Sequence, residues 1–291
     1  MTDPAAQLLP EIDARSMVEK ARDLAPLFRA QAEANEAAGR LTDETVAALR
    51  SGDFFGLLVP KCFGGAEASP VEALETYETI TAADTSAGWV LMASNVGTGS
   101  AAGYLPPAAA EAVFGDRIPV IAGQGAPRGR ADIDGDGYRL TGHWSYGSGV
   151  LHADWLHTGG MVHENGKPRI QPETGQPDMR IFIVPIEHAE ILGNWDVIGL
   201  RATGSVDYKL HDVYVPREFT HSPDAILPQQ GGDLYRLGLV GMAPLGHTGV
   251  ALGIGRRVLD ELRELANAPG GRPSALSVRG GDATFQQQFA D

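Results

Sequence analysis

The sequence predicts an α+β fold in which helical, all-β and again helical segments follow one another along 291 residues. Apolar residues recur at helical spacing up to about residue 115 and again from residue 239 onwards. Between them, from Ile118 to Val215, short alternating runs are separated by turn residues, which is typical of strands. With 43% apolar and 21% charged residues, the composition is that of an ordinary globular protein.

Residues 1–116 are predicted to form an N-terminal helical domain. The first helix is indicated by apolar residues that share one face, namely Met17, Ala21, Leu24 and Phe28. The clearest helix start is at Ser69, where Pro70 fits the first helical position and Glu72 completes a capping box. Further helices are expected over residues 86–102 and after Pro106.

Residues 117–217 are predicted to form a central β-domain, a small barrel or sandwich, of which we favour the β-barrel. Asp134-Gly-Asp-Gly137 and Asn165-Gly166 are typical hairpin turns. The apolar run 181–184 indicates a short buried strand, and the alternation over 206–215 indicates another.

A long amphipathic helix is predicted over residues 239–266. Small residues in its first half permit close contact between helices, and its apolar members are Leu252, Val258, Leu259, Leu262 and Leu265. Residues 267–283 have the composition of a loop, and a last helix is expected to begin near Ala283 with Phe285 and Phe289 on one face.

Charge and cysteine content exclude several classes of function. The chain has 23 basic and 37 acidic residues, a net charge of −14, which repels nucleic acid and anionic membrane surfaces. No run of about 18 apolar residues indicates a membrane span. A single cysteine, Cys62, excludes an internal disulfide, and the acidic N-terminus does not resemble a signal peptide. A cytoplasmic protein is therefore expected.

Motifs for metal and nucleotide chemistry are weak. The stretch after Asp132 imitates a calcium loop, but His143 stands where a bidentate acid is required, so a hairpin is favoured. His152 and His157 lack the spacing of a zinc pair, and no metal site is predicted. Glycine-rich phosphate motifs and a hydrolase nucleophile elbow are also absent from the sequence.

The most informative stretch is residues 142–155, in which aromatic, small and hydroxyl side chains alternate. Two aromatic residues beside a hydroxyl can form a flat apolar wall with one hydrogen-bonding group, as a planar polar-edged ring requires. A half-buried strand with ordinary aromatic packing has the same pattern. The pattern alone leaves both interpretations open.

Four segments, in order along the chain, resemble the acyl-CoA dehydrogenase superfamily. They are residues 45–65 with Pro60 and the Gly64-Gly65 pair, residues 83–89, residues 144–155 and residues 199–216. The resemblance covers about residues 20–265 and implies an acyl-CoA dehydrogenase-like fold. In that fold an N-terminal helical domain and a central β-domain precede a C-terminal four-helix bundle, so residues 218–291 would be the beginning of the bundle.

Within the superfamily, the details resemble the flavin-dependent, two-component monooxygenases. Dehydrogenases carry a Thr-Glu-Pro-Gly motif where this chain has residues 122–131, and an Ile-Thr-Asn-Gly strand where it has Tyr146-Gly-Ser-Gly149. The resemblance implies that reduced flavin, FMN or FAD, comes from a separate reductase. It further implies insertion of one oxygen atom of O2 into an aromatic or heterocyclic small molecule through a flavin C4a-hydroperoxide, which requires a dry pocket. A homotetramer is implied for the full-length chain.

The resemblance also implies roles for individual residues. Ser148 would be the catalytic hydroxyl beside flavin N5, with Tyr146 against the ring and Trp144 supporting that wall. The substrate side would be formed by Trp89, Ser94 and Asn95. Backbone groups of Gln124 and Ala126 would contact the flavin edge. Arg201 and Ser205 would lie in the loop near the flavin, where they would either bind phosphate or only shape the turn.

Two other functions are compatible with this resemblance. One is an acyl-CoA dehydrogenase-like FAD enzyme that oxidises an acyl thioester, and the other is a non-catalytic protein of the same fold. Because the superfamily's bundle continues beyond residue 291, we expect a truncated or partial sequence. Its apolar face from Leu252 to Leu265 would then be exposed, and the isolated chain would aggregate or bind flavin poorly.

Overall fold

The computed structural model describes residues 15–267 and 283–290. Helices come first, and their bounds are α1 Met17–Ala38, α2 Asp43–Ser51, α3 Pro70–Ala83, α4 Thr85–Tyr104 and α5 Pro107–Phe114. Two helices follow the strands, and their bounds are α6 Gly238–Asn267 and α7 Ala283–Ala290. The predicted alternation of helical, strand and helical segments is confirmed.

The start of α3 follows its predicted capping chemistry in part. The Ser69 hydroxyl accepts from the backbone N–H of Glu72 at 3.2 Å and Pro70 begins α3, as predicted. The Glu72 carboxylate accepts instead from the backbone N–H of Met17 at 3.0 Å. The predicted capping box is therefore half formed, because the acid joins the start of α3 to the start of α1.

The strands form one mixed sheet. Their bounds are β1 Ile121–Ala122, β2 Pro127–Asp134, β3 Gly137–Trp144, β4 Trp155–Glu164, β5 Lys167–Pro168, β6 Met179–Pro185, β7 Glu190–Ile191, β8 Tyr208–Pro216 and β9 Thr220–His221. The order is β7-β8-β3-β2-β4-β6-β9, with β1 and β5 also paired to β4. Both predicted hairpin turns join neighbouring strands, β2 to β3 and β4 to β5.

The sheet is rolled rather than flat. Its two end strands, β7 and β9, do not pair with each other, yet β6 and β8 approach across the core although they lie far apart in strand order. The fully buried Trp144 stacks on Tyr208 inside this roll, with ring centroids 5.4 Å apart. The central part is thus a rolled sheet with open ends, and its last strand lies beyond the predicted boundary at residue 217.

Helix α6 packs closely on α3 through its glycines, as the small-residue pattern predicted. A Cβ atom on Gly249 would lie 2.8 Å from the Leu74 carbonyl oxygen, and one on Gly253 would lie 2.6 Å from that of Glu78. The opposite side of α6 is apolar and exposed, with Leu252 and Leu259 about half accessible. The predicted pairing of Phe285 with Phe289 in the final helix is not described, because the side chain of Phe285 lies outside the described residues.

By length and hydropathy alone, residues 233–267 could cross a membrane, with a mean hydropathy of 1.4 in the most apolar window. The sequence alone predicts no such span. One third of that window, 33%, is buried, and it includes the glycines that contact α3. Length and composition are weak evidence here, because core helices meet the same criteria.

Candidate active site

A cavity of about 410 Å³ lies where α4, the loop after β1, the turn after β3 and the start of α6 meet. Its walls are mainly apolar and include Trp89, Met92, Val96, Met179, Leu239 and Val240. Few polar side chains reach it, and these are Gln124, Tyr146, Ser148, His157 and His247. A concave apolar site with a few polar groups is the usual form of a small-molecule site.

Other hollows of similar volume differ in chemistry. The groove of about 480 Å³ beside α3 is lined by charged residues, and its Arg256 already pairs with Glu78 at 2.6 Å. Because this ion pair occupies the groove and its described lining residues include no aromatic side chain, we place the candidate active site in the cavity at Ser148.

Trp89 reaches this cavity because of the cap of α4. The Asp84 carboxylate accepts from the backbone N–H groups of Ser86 and Ala87 at 2.9 and 3.2 Å, which fixes where the helix begins. Trp89 follows in the next turn, and its Nε1 donates to the Ser148 hydroxyl at 3.0 Å. Trp89, expected on the substrate side, and Ser148, expected beside the flavin, are thus joined by a direct hydrogen bond.

Ser148 lies in a tight turn that follows β3. Tyr146 has φ +62° and Gly149 has φ +78°, so the chain reverses sharply on both sides of Ser148. Gly147 donates to the Val206 carbonyl at 3.0 Å and Gly149 donates to that of Thr203 at 3.1 Å. These bonds hold the turn against residues 203–206 and leave Ser148 only 6% exposed, whereas Tyr146 is 65% exposed at the mouth of the cavity.

Ser148 also begins a chain of buried hydroxyl groups. Its oxygen lies 2.7 Å from that of Ser205, which lies 2.7 Å from that of Thr203. Thr203 in turn donates to the Leu200 carbonyl at 2.8 Å. Ser205 therefore contacts the site through its hydrogen bond with Ser148 and does not line the cavity.

The loop after β1 brings Gln124 to the cavity but uses its backbone internally. The Gln124 N–H donates to the Tyr208 hydroxyl at 3.0 Å, and its carbonyl accepts from Gly159 at 3.0 Å. The Ala126 N–H donates to the Gln124 side-chain oxygen at 3.2 Å. The backbone N–H groups of Gln124 and Ala126, which were expected to contact a flavin, therefore already have hydrogen-bond partners within the protein.

Gly159 of β4 allows this loop to lie close to the sheet. A Cβ at this position would lie 2.1 Å from the Gly125 carbonyl oxygen and 2.6 Å from that of Ala126. We expect Gly159→Ala to destabilise the protein by about 2 kcal/mol in urea unfolding, because the loop must shift. Gly193→Ala is the matched control, since a Cβ at Gly193 would meet no atom within 4 Å. Equal stability of the two variants would contradict this prediction.

Three predicted residues of the substrate and flavin sides do not line the cavity. Asn95 is fully buried, and its amide group bonds the backbone of Phe54, Leu58 and Leu91, so it holds α4 to the preceding segment. Ser94 is also fully buried and its hydroxyl has no partner. Trp144 lies behind the cavity and donates to the Gly159 carbonyl at 2.9 Å.

Arg201 is exposed and is also absent from the cavity wall. Its backbone N–H and that of Ala202 donate to the Glu36 carboxylate at 3.0 and 3.2 Å. Glu36 also accepts from the Ser86 hydroxyl, so it joins α1, α4 and the 200–205 loop. These backbone bonds shape the turn, and phosphate binding by the exposed Arg201 side chain stays a prediction.

Two buried histidines were not predicted as site residues. His157 of β4 lines the cavity, and its ring lies 6.1 Å from that of His221. Burial lowers the pKa of His157 to about 3 and that of His221 to about 4, so both rings are neutral at pH 7. Strand periodicity could not single out His157, because β4 is buried on both faces from residue 156 to residue 160.

Comparison with known proteins agrees with the resemblance inferred from the sequence. Residues 13–105 match the family model of the acyl-CoA dehydrogenase N-terminal domain. The oxygenase subunit HsaA of a flavin-dependent monooxygenase from Mycobacterium tuberculosis is 34% identical over 223 residues, covering 76% of this chain. A crystal structure of HsaA from that organism superposes with a TM-score of 0.83 at 28% identity, covering 96% of this chain and 71% of the other.

The chain belongs to the acyl-CoA dehydrogenase superfamily. A second relative in this superfamily, the oxygenase component of an FADH2-dependent resorcinol hydroxylase from Rhizobium sp., is 30% identical over 282 residues, covering 91% of this chain. The chain spans about half the length of HsaA, 54%, and 64% of the hydroxylase. The predicted family and fold are thereby confirmed.

The cavity fits the flavin ring that the relatives' names imply for this superfamily. A planar tricyclic ring needs flat apolar surfaces, which Trp89 and Tyr146 provide, and a hydrogen-bonding group at its edge, which Ser148 provides. Gly125 adds no side chain to the cavity wall, and the nearest atom to an added Cβ there would be 3.4 Å away. The residues present are therefore compatible with a bound flavin.

Proposed function

We propose that this chain is the oxygenase component of a two-component flavin-dependent monooxygenase that hydroxylates an aromatic or heterocyclic small molecule. The observation that carries the proposal is the buried Ser148 hydroxyl in the wall of a mainly apolar cavity, hydrogen-bonded by Trp89. It is supported by the relatives HsaA and resorcinol hydroxylase, both oxygenase components by name.

When bound, reduced flavin would supply the electrons that activate O2. Trp89 and Tyr146 would hold the ring, and Ser148 would bond a group on its edge. Met92, Val96 and Leu239 would exclude water, which is needed because water access diverts such chemistry. His247 would fix the orientation of Trp89, since its ring meets the indole edge-on at 5.6 Å.

Several finer points belong to the same proposal. We propose a separate flavin reductase as partner, and a homotetramer for the full-length protein, on the basis of the family resemblance alone. A cytoplasmic location is supported by the single cysteine, Cys62, which is exposed and free. A division into domains at residue 116 is also proposed, whereas the predicted boundary at residue 217 would separate β9 from the sheet. We propose either FMN or FAD as the reduced flavin.

The test is an oxygenation assay with reduced flavin. The chain is given FMN or FAD reduced by a generic NADH:flavin reductase, together with phenols and indoles, in buffer equilibrated with ¹⁸O2. We expect a colourless preparation and hydroxylated products that carry one labelled oxygen atom. A yellow preparation that reduces an artificial acceptor in the presence of acyl-CoA would indicate a dehydrogenase instead. If an unaggregated preparation bound neither oxidised nor reduced flavin, that result would indicate a non-catalytic protein.

A further inference from the structure

The hydroxyl groups of Ser148, Ser205 and Thr203 lie between two partners whose hydrogen-bonding roles are fixed. At one end, the Trp89 indole nitrogen can only donate, and it donates to Ser148 at 3.0 Å. At the other end, the Leu200 carbonyl can only accept, and it accepts from Thr203 at 2.8 Å. The two inner distances are both 2.7 Å, which is typical of hydroxyl hydrogen bonds.

These fixed ends determine the direction of every bond between them. Each hydroxyl has a single proton. Because Thr203 gives its proton to Leu200, it can only accept from Ser205. Because Ser205 gives its proton to Thr203, it can only accept from Ser148. The Ser148 proton therefore points to Ser205 and away from the cavity.

We propose that Ser205 and Thr203 are positioning residues that make Ser148 an obligatory hydrogen-bond acceptor toward the cavity. Ser148 then has one lone pair left for a ligand, since Trp89 occupies the other. A ligand N–H group is favoured at this position, and a ligand lone pair is repelled.

The surroundings hold this arrangement in place. Thr203 and Ser205 are both buried, so water does not compete for their protons. The Leu200 carbonyl also accepts from the Trp195 indole at 3.1 Å, which keeps it oriented. The Glu36 carboxylate fixes the N–H groups of Arg201 and Ala202 at 3.0 and 3.2 Å.

The inference rests on the proposed function, with flavin N5 beside Ser148 as the family resemblance implies. Reduced flavin has an N–H at N5, whereas oxidised flavin has a lone pair there. An obligatory acceptor thus selects the reduced form that the reductase delivers over the oxidised form that must leave. Without Ser205, the Ser148 hydroxyl can rotate and donate to oxidised N5.

The experiment measures the dissociation constants of oxidised and anaerobically reduced FMN and FAD for the full chain and its variants. The ratio of interest is the dissociation constant of oxidised flavin divided by that of reduced flavin. We expect Ser205→Ala to lower this ratio about tenfold, mainly by tighter binding of oxidised flavin. The midpoint potential of the bound two-electron flavin should fall by about 30 mV. Thr203→Val should act in the same direction, whereas Thr203→Ser should restore the wild-type ratio.

The outcomes separate this inference from the proposed function. If the wild-type chain binds neither redox form, both are overturned. If it binds both forms and Ser205→Ala and Thr203→Val leave the ratio unchanged, only the positioning role is overturned. A ratio that falls solely because reduced flavin binds less tightly would also overturn it, since that result indicates general loosening of the site. Should Ser205→Ala fail to fold, Thr203→Val and Thr203→Ser provide the same comparison.

Discussion

Ser148→Ala is expected to lower the yield of hydroxylated product per O2 consumed by about tenfold or more, with hydrogen peroxide replacing the product. The substitution removes the buried hydroxyl of the cavity wall and leaves the Trp89 indole N–H and the Ser205 hydroxyl without this partner. Binding of reduced flavin should persist, because Trp89, Tyr146 and the apolar walls remain. The measurement is product and peroxide formed against oxygen consumed, with flavin supplied in reduced form.

Ser145→Ala is the matched control for this experiment. Its hydroxyl lies three residues earlier in the chain and bonds the Asp207 carboxylate at 3.1 Å, and Ser145 does not line the cavity. The same chemical change there should leave the product yield unaltered. Equal yields from wild type and Ser148→Ala, with flavin bound in both, would show that Ser148 has no catalytic role.

The parts of the fold that the sequence predicted depend on local chemistry. Ser69 and Pro70 determine the start of α3 through their own hydroxyl and ring, and the 134–137 turn determines a hairpin through its glycines. The family resemblance of residues 144–155 assigned Tyr146 and Ser148 to the site, and both line the cavity. Trp89 could be placed through the Asp84 cap five residues before it.

The placements that the sequence did not predict depend on contacts between residues that are distant in the sequence. Asn95 lies on the predicted helix, but its amide group bonds the backbone of Phe54 and Leu58. Nothing in the residue pattern of α4 indicates that residues 54–58 pack beside it. Arg201 was assigned from its place in a family segment, whereas its backbone is held by Glu36, 165 residues away. The sequence offers His157 only as a poor metal ligand, because its burial depends on β4 lying inside the sheet.

The same buried histidine leads to a large expected effect on stability. Lowering the pH from 7.5 to 5 is expected to reduce the free energy of unfolding by about 4 kcal/mol through His157 and His221 alone. In the folded protein, burial lowers their pKa values from 6.5 to about 3 and about 4. Their neutral state therefore contributes stability that is fully present above pH 6.5 and is lost as the pH falls through 6 and 5 toward those values.

The sign follows from proton uptake. Between pH 6.5 and pH 4 the unfolded chain binds a proton on each of these rings and the folded chain does not, so acid favours unfolding. One proton contributes about 1.4 kcal/mol per pH unit, or about 2 kcal/mol for each ring at pH 5. Since net stabilities are of the order of 5–15 kcal/mol, this loss should be visible in urea unfolding curves.

His157→Gln tests this explanation, because glutamine keeps a polar side chain and cannot take up the proton. The slope of the unfolding free energy with pH between pH 6.5 and pH 5 gives the number of protons taken up on unfolding, and this number should be about one lower than in wild type. His188→Gln is the control for the same chemical change at an exposed position beyond the end of β6. If His157→Gln and wild type lose stability in parallel, protonation of His157 is not what destabilises the fold in acid. If only the His157 variant becomes less sensitive, the neutral ring in the cavity wall is itself a cause of the acid sensitivity.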